Sequence, residues 1–196
     1  MITNRDRNIM IFLEQVKAIT IKQSSDIFFG GSYESARRRL NQLENVYNKL
    51  KSYKMNETDE KVYYLENKIT YHDSLVISFI AKIKSLGGEF IQNTLKPKYL
   101  NGKIIPDLFS IFKLNGYVYF ILLEVDLYHD TPLSKMKLYE ELYKSKEIQN
   151  ENQNQFPIII ISKSLYDSSL KYNSENFNTI YTDKHYNNID RFLESL

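Results

Sequence analysis

The sequence of 196 residues contains no cysteine, and only 6 glycines, 4 prolines and 3 histidines. Without cysteine, disulfides and thiolate metal sites are excluded, and a reducing compartment is the natural setting. No apolar run approaches the roughly 18 residues that a membrane helix needs. The opening segment MITNRDRNIMIFLEQ carries charges through its apolar part and lacks the small residues of a signal-peptide cleavage site. We therefore expect a soluble, cytoplasmic protein with no membrane partner.

Several familiar catalytic patterns are also missing. The sequence has no glycine-rich phosphate loop, no Ser-His-Asp order and no paired-histidine zinc spacing, which argues against ATP use and zinc hydrolase chemistry. The histidines add little. His72 beside Asp73 is typical of a helix start, His185 is typical of plain surface, and His129 lies close enough to Asp126 in the sequence to be worth testing.

Charge is distributed unevenly along the chain, although the net charge is only +2. Residues 1–54 contain 10 Lys and Arg against 5 Asp and Glu, which gives +5. The remaining 142 residues hold 16 against 19, which gives −3. The amino-terminal part is therefore the part expected to meet phosphate.

Residues 1–67 are expected to form a winged helix-turn-helix domain. Asn4 is predicted to cap a first helix, a bridging strand and a second helix follow, and Gly30-Gly31 ends the second helix. Ser32 is predicted to cap a third helix whose inner stripe is Tyr33, Ala36, Leu40 and Leu43, with the arginines at 37, 38 and 39 mostly outside. Two strands around a polar tip complete the domain, over 47–53 and 61–65.

In such a domain the third helix enters the major groove of double-stranded DNA, and the hairpin, or wing, contacts the backbone. The predicted DNA contacts on the helix are Ser32, Tyr33, Ser35, Arg37 and Arg38. Lys51 and Lys54 on the wing are expected to bind phosphates. A homodimer is expected, because one such domain makes few phosphate contacts and two-fold DNA sites are common.

Residues 68–196 are expected to form an α/β domain with a mixed sheet. The pattern predicts a helix over 70–86 stopped by Gly87-Gly88, a short strand at 89–91, and two strands joined through Asn115-Gly116. A helix over 134–148 and the apolar strand 156–162 follow, and 188–196 is predicted as a short closing helix.

Three carboxylates mark this second domain. Glu124 and Asp126 lie two apart on one strand and so share a face, and the hairpin can bring Asp107 beside them. Such a cluster needs a compensating cation.

The order of the helices and strands matches a restriction-endonuclease-like fold. The sequence pattern of that fold is PD followed by (D/E)xK, here Pro106-Asp107 and Glu124-Val125-Asp126. Asp126 replaces the usual lysine, and Lys135 or Lys137 could reach back into the site.

Residues 5–145 resemble the replication-relaxation proteins of plasmids and other mobile elements. The resemblance lies in the segment ARRRLNQLE, the helix start at His72, the PD dipeptide, the LLEVD strand and the KMKLYEELY helix after a threonine-containing turn. The chain departs from the family in that turn, which reads LYHDT over 127–131. The resemblance implies a DNA-binding protein that acts at a replication or transfer origin, with a nuclease-like second domain and a replication or transfer protein as a possible partner.

Three functions stay open on the sequence alone. In the first, the second domain is a scaffold for dimerisation or docking, and the substitution of a carboxylate for the lysine favours this. In the second, Asp107, Glu124 and Asp126 hold Mg²⁺ or Mn²⁺ and the protein is a DNA endonuclease or nickase, with Lys135 or Lys137 positioning the attacking water. In the third, the protein is a dimeric transcription repressor.

Overall fold

A computed structural model describes residues 1–127, 131–163 and 171–194 of the chain. It divides the chain into two compact units, Met1–Ser85 and Leu86–Leu196. Within the described residues, no helix combines the length and the apolar character that crossing a membrane requires.

The first unit contains four helices and three short strands. In chain order they are α1 (Asn4–Val16), β1 (Ala18–Thr20), α2 (Ile21–Phe28), α3 (Tyr33–Asn45), β2 (Lys51–Lys54), β3 (Lys61–Tyr64) and α4 (Tyr71–Ser85). The strands form one antiparallel sheet in the order β1-β3-β2. β2 and β3 therefore form a hairpin, and β1 pairs with the free edge of β3.

Threonines begin the first two helices. The Thr3 hydroxyl accepts from the Asp6 N–H at 3.3 Å while the Asp6 carboxylate accepts from the Thr3 N–H at 2.6 Å, which is a capping box. Thr20 and Gln23 repeat this arrangement at α2. The predicted cap at Asn4 is therefore wrong by one residue. Ser32 does occupy the position before α3, but its hydroxyl donates to the Ser35 hydroxyl and caps no backbone group.

The core of the first unit lies between its helices and the sheet. It contains Ile9, Leu13, Ile19, Ala36, Leu40, Leu43 and Tyr63. Tyr33, which was predicted in the inner stripe of α3, is instead 46% exposed. It stands on the first residue of α3, and the buried stripe of that helix begins one turn later, at Ala36.

The helix α4 belongs to the first unit. Gln23 on α2 is buried, and its side-chain amide donates to the Ser74 carbonyl at 2.8 Å and to the Ser78 hydroxyl at 3.0 Å, both on α4. The predicted boundary between residues 67 and 68 therefore differs from the division after Ser85. The reason is that α4 supplies partners for a buried amide that would otherwise lack them.

The second unit is built on a five-stranded sheet in the order β4-β5-β6-β7-β8. Its elements are β4 (Glu89–Leu95), β5 (Leu108–Leu114), β6 (Tyr117–Asp126), α5 (Leu133–Ser145), β7 (Ile158–Lys163), β8 (Thr179–Asp183) and α6 (Ile189–Glu194). The pairs β4–β5 and β5–β6 are antiparallel, whereas the pairs β6–β7 and β7–β8 are parallel. The predicted α/β class with a mixed sheet is confirmed.

Two features of this sheet position the acidic residues. Asn115 and Gly116 have φ of 51° and 87°, and positive φ at both central residues of a two-residue turn gives the tight hairpin that aligns β5 with β6. The helix α5 then packs Met136, Tyr139 and Leu142 into a core that also contains Leu122 of β6 and Ile159 and Ile161 of β7. This places α5 beside the end of β6.

Candidate functional site

Asp107 and Glu124 lie side by side at one end of the β5–β6 hairpin. Leu108 and Leu123 are cross-strand partners, and the Asp107 N–H donates to the Leu123 carbonyl at 3.0 Å, which continues the ladder by one step. The Asp107 carboxylate accepts from the Val125 N–H at 2.9 Å. Two of the three predicted carboxylates are thus neighbours, as the hairpin pattern indicated.

Glu124 is 3% exposed and is held by two side chains of α5. One carboxylate oxygen accepts from Lys135 Nζ at 2.5 Å, and the other accepts from the Tyr139 hydroxyl. Lys135 and Tyr139 are four residues apart on α5 and therefore project from the same face. Lys135 reaches the acidic residues, as the sequence allowed, whereas Lys137 is exposed.

The protonation of Glu124 is strongly perturbed. Burial raises the pKa of Glu124 to about 7, and the nearby Asp107 charge also raises it, whereas the Lys135 charge and the hydrogen bonds from Lys135 and Tyr139 lower it. Burial and the Glu124 carboxylate together raise the pKa of the Tyr139 hydroxyl well above its usual range. Glu124 is therefore poised to change charge near neutral pH.

Asp126 has separate partners, although it shares a face of β6 with Glu124. Its two oxygens accept from the Thr131 N–H at 2.7 Å and from the Thr131 hydroxyl at 2.6 Å. Asp126 thereby fixes the residue that leads into α5. His129, named above for its closeness to Asp126 in the sequence, lies outside the described residues.

The predicted metal triad is not formed. In the described ranges, no three His, Cys, Asp or Glu side chains are grouped so that they could hold a metal ion. The physical reason lies in the partners of the carboxylates. Glu124 is bound by Lys135 and Tyr139, and Asp126 is bound by Thr131, so these two carboxylates have separate protein partners.

Lys163, the last residue of β7, is a buried cation that the sequence patterns above do not predict. It is 6% exposed, it is the cross-strand partner of Asp126, and its ammonium lies 5.6 Å from the centre of the Tyr181 ring. Lys163 and Asp126 line a cavity of about 270 Å³ together with Thr131 and Tyr181. The sequence contained one signal for a buried lysine at this position. Lys163 directly follows the apolar run FPIIIIS, and a strand that is covered on both faces also buries the residue at its end.

The arginine run on α3 divides into two exposed residues and one structural residue. Arg37 is exposed and pairs with Glu34 one turn earlier, at 2.5 and 2.9 Å. Arg38 is also exposed. Arg39 instead donates to Asp6 of α1 at 2.5 and 2.8 Å, and its side chain is 19% exposed. The prediction that Arg39 lies outside is therefore wrong, because the fully buried Asp6 carboxylate requires a cation.

The remaining predicted DNA contacts on α3 share its solvent side. Ser32 and Tyr33 are exposed, and Ser35 is half-buried. Together with Arg37 and Arg38 they cover the first turn and a half of the helix. This surface presents two guanidinium groups, a phenol and two hydroxyls, all groups that bind DNA.

The two predicted wing lysines lie on opposite faces of the β2–β3 hairpin. Lys54 is the cross-strand partner of Lys61, and Lys61 binds Glu44 of α3 at 2.6 Å, so Lys54 is on the face that α3 covers. Lys51 is an odd number of residues away and is on the other face. Both are exposed, but only Lys54 lies on the α3 side of the hairpin.

The other histidines have ordinary surroundings. His72 lies at the start of α4, where Thr70 and Asp73 form the capping bonds, with the Thr70 hydroxyl donating to Asp73 at 2.9 Å. His185 is exposed.

Comparison of the chain with models of protein families, with curated proteins and with solved structures finds no match.

Proposed function

We propose that this protein binds double-stranded DNA through its first unit, and that this unit is a winged helix-turn-helix domain. The order helix, strand, helix, helix and hairpin, with β1 paired to the hairpin, supports this proposal. In that arrangement α3 is the recognition helix and β2–β3 is the wing. The observation that carries the proposal is the exposed face of α3 with Arg37 and Arg38.

The charges on this face are available to phosphate at small cost. Arg37 is paired with Glu34, but both side chains are about half exposed, at 46% and 58%. Solvent screens an exposed pair of this kind so that it contributes little to stability, and a phosphate can replace Glu34 as the partner of Arg37. The net charge of +5 over residues 1–54 attracts the duplex from a distance.

The second unit, in this proposal, is a restriction-endonuclease-like domain that does not cleave DNA. Glu124 is bound by Lys135 and Tyr139, and Asp126 is bound by Thr131. To bind Mg²⁺ or Mn²⁺, Glu124 would have to give up an ammonium at 2.5 Å and a buried hydroxyl. The alternative function as a metal-dependent endonuclease or nickase therefore requires Lys135 and Tyr139 to release Glu124.

The biological setting is proposed from the resemblance described above. It favours action at a replication or transfer origin of a plasmid or mobile element, as a homodimer, with a replication or transfer protein as a further partner. A transcription repressor would use the same DNA-binding surface. Footprints confined to an origin would favour the first role, and footprints at an operator beside its own gene would favour the second.

DNA binding is tested by mobility shift with a duplex of about 30 base pairs at several salt concentrations. Arg37→Ala combined with Arg38→Ala is the test variant. The matched control is Lys113→Ala combined with Lys137→Ala, which removes the same charge from two exposed lysines of the second unit. If both arginines contact phosphate, the slope of log affinity against log salt becomes less steep by about 2 in the test variant only.

Equal affinity of the wild type and the arginine variant at every salt concentration would contradict the assignment of α3. A loss that the lysine control shares would attribute binding to total charge. Circular dichroism of each variant establishes that the fold is retained.

A further inference from the structure

A cleft of about 600 Å³ lies in the first unit beside α3. Its lining comes from the start of α1, from the residue after α2, and from the outer side of α3. Arg5, Phe29, Ser35 and Arg38 are part of this lining, and so are Asp6 and Arg39. The cleft thus adjoins the surface proposed for DNA binding and extends it onto a different helix.

The cleft carries positive charge that its own lining does not neutralise. Asp6 is the one carboxylate among the lining residues, and it binds Arg39 through two hydrogen bonds. That hydrogen-bonded pair with Arg39 holds the pKa of Asp6 far below its usual range, so Asp6 stays ionised and bound to Arg39. Arg5 and Arg38 remain as two exposed guanidinium groups on the walls of the cleft.

Phe29 gives Arg5 a defined position. The central carbon of the Arg5 guanidinium lies 4.7 Å from the centre of the Phe29 ring. Such a contact is a cation–π interaction. A guanidinium that uses its planar face against a ring still has its N–H donors at the edge, and this edge matches the oxygens of a phosphate.

We propose that this cleft binds a backbone phosphate of duplex DNA next to the groove that α3 enters. Arg5 and Arg38 supply the donors, and Phe29 is a positioning residue for Arg5. This inference rests on the proposed function, and it adds Arg5 and a contact from α1 to the DNA-binding surface. The ligand is a phosphodiester, because the positioned Arg5 and the exposed Arg38 at an open cleft suit a repeated exposed anion.

The chain offers a matched control on the same helix. Arg7 is exposed and lies two residues after Arg5, so it projects from nearly the opposite side of α1 and does not line the cleft. Arg5→Ala and Arg7→Ala each remove one positive charge from the first two turns of α1. Arg5→Lys keeps the charge and removes the planar contact with Phe29.

The experiment measures the affinity of the full chain for a duplex of about 30 base pairs across a salt series. Loss of one phosphate contact makes the slope of log affinity against log salt less steep by about 0.9, and at 0.1 M salt it lowers the affinity about eightfold. We expect this change for Arg5→Ala and not for Arg7→Ala. Arg5→Lys is expected to keep the slope of the wild type.

Phe29→Leu tests the positioning role separately. It keeps Arg5 and its charge, so the salt slope should stay that of the wild type while the affinity falls about two- to fivefold through the lost cation–π contact. The double variant Phe29→Leu, Arg5→Ala is compared with Arg5→Ala alone. If Phe29→Leu lowers the affinity of the wild type but does not lower the affinity of Arg5→Ala further, Phe29 acts through Arg5.

The outcomes separate the two proposals. If the wild type fails to bind duplex at low salt, the proposed function itself is overturned. If the wild type binds and Arg37→Ala with Arg38→Ala weakens binding, but Arg5→Ala behaves like Arg7→Ala, then only the phosphate cleft is refuted. Thermal unfolding of each variant establishes that a lost contact is not a lost fold.

Discussion

Replacing Glu124 by glutamine should change how the stability of the protein depends on pH. Glu124 is 3% exposed, and burial raises its pKa to about 7 from an ordinary value of 4.5. A carboxyl group whose pKa is raised in the folded state binds its proton more tightly there than in the unfolded chain. Its contribution to stability is therefore fully present below pH 4.5 and is lost as the pH rises through about 7.

The size of this effect follows from the shift. Each pKa unit corresponds to about 1.4 kcal/mol, so the shift of Glu124 represents about 3 kcal/mol between pH 4.5 and pH 8. Glutamine has nearly the same shape and does not titrate. The free energy of unfolding of Glu124→Gln, minus that of the wild type, should therefore increase by about 3 kcal/mol across this range.

Urea unfolding followed by circular dichroism at several pH values measures this difference, and the carbon resonance of the Glu124 carboxyl group gives its pKa directly. Glu140→Gln on the same helix is the control. Burial acts to raise the pKa of Glu140, but hydrogen bonds from Ser174, Asn176 and Tyr172 outweigh it and lower the pKa. The stability contribution of Glu140 is therefore lost only as the pH falls below 4.5, outside the measured range.

A stability difference that stays constant from pH 4.5 to pH 8, with a carboxyl resonance that titrates near 4.5, would refute this account of Glu124. It would mean that water reaches the carboxylate or that Lys135 fully compensates for burial. If water reaches the carboxylate, Glu124 would also be less firmly bound to α5 than the distance to Lys135 indicates.

Three further predictions concern Tyr139, Asp6 and Asp107. Tyr139→Phe removes a hydrogen bond that lowers the pKa of Glu124, so the Glu124 carboxyl resonance should titrate above its wild-type midpoint; an unchanged midpoint would contradict the bond. Asp6→Asn leaves Arg39 partly buried without a carboxylate, and thermal unfolding at pH 7 should show a loss of about 3 kcal/mol. Because Arg39 lowers the pKa of Asp6, this difference should shrink as the pH falls below 3.8. Supercoiled plasmid incubated with the protein and Mn²⁺ should stay supercoiled, and nicking that Asp107→Ala abolishes would establish the nuclease instead.

Local sequence signals predicted much of the architecture. The periodicity of Ala36, Leu40 and Leu43 gave the buried side of α3, and Asn115-Gly116 gave the hairpin that brings Asp107 to Glu124. These signals succeed because each acts within one helix or one turn. The mixed sheet followed from the order of the elements along the chain, since a strand reached through a helix runs parallel to its predecessor.

Contacts between distant residues could not be predicted in the same way. Helical spacing puts Arg39 beside the buried stripe, three residues after Ala36, but it does not identify the partner Asp6, which lies 33 residues earlier. The assignment of α4 to the first unit depends on Gln23, whose amide bonds Ser74 across 51 residues. Likewise the three carboxylates have suitable spacing for a metal site, and the sequence does not show that Glu124 is bound by Tyr139 and Asp126 by Thr131.

The partnership of α2 with α4 has a practical consequence for separating the two halves of the protein. A fragment that stops at residue 67 would contain Gln23 without Ser74 and Ser78. The side-chain N–H groups of Gln23 would then lose their hydrogen-bond acceptors on α4. A fragment that continues to Ser85 would retain every one of those partners. Proteolysis should accordingly release an amino-terminal piece that ends after α4, and that piece is the appropriate one for testing the proposed DNA binding in isolation.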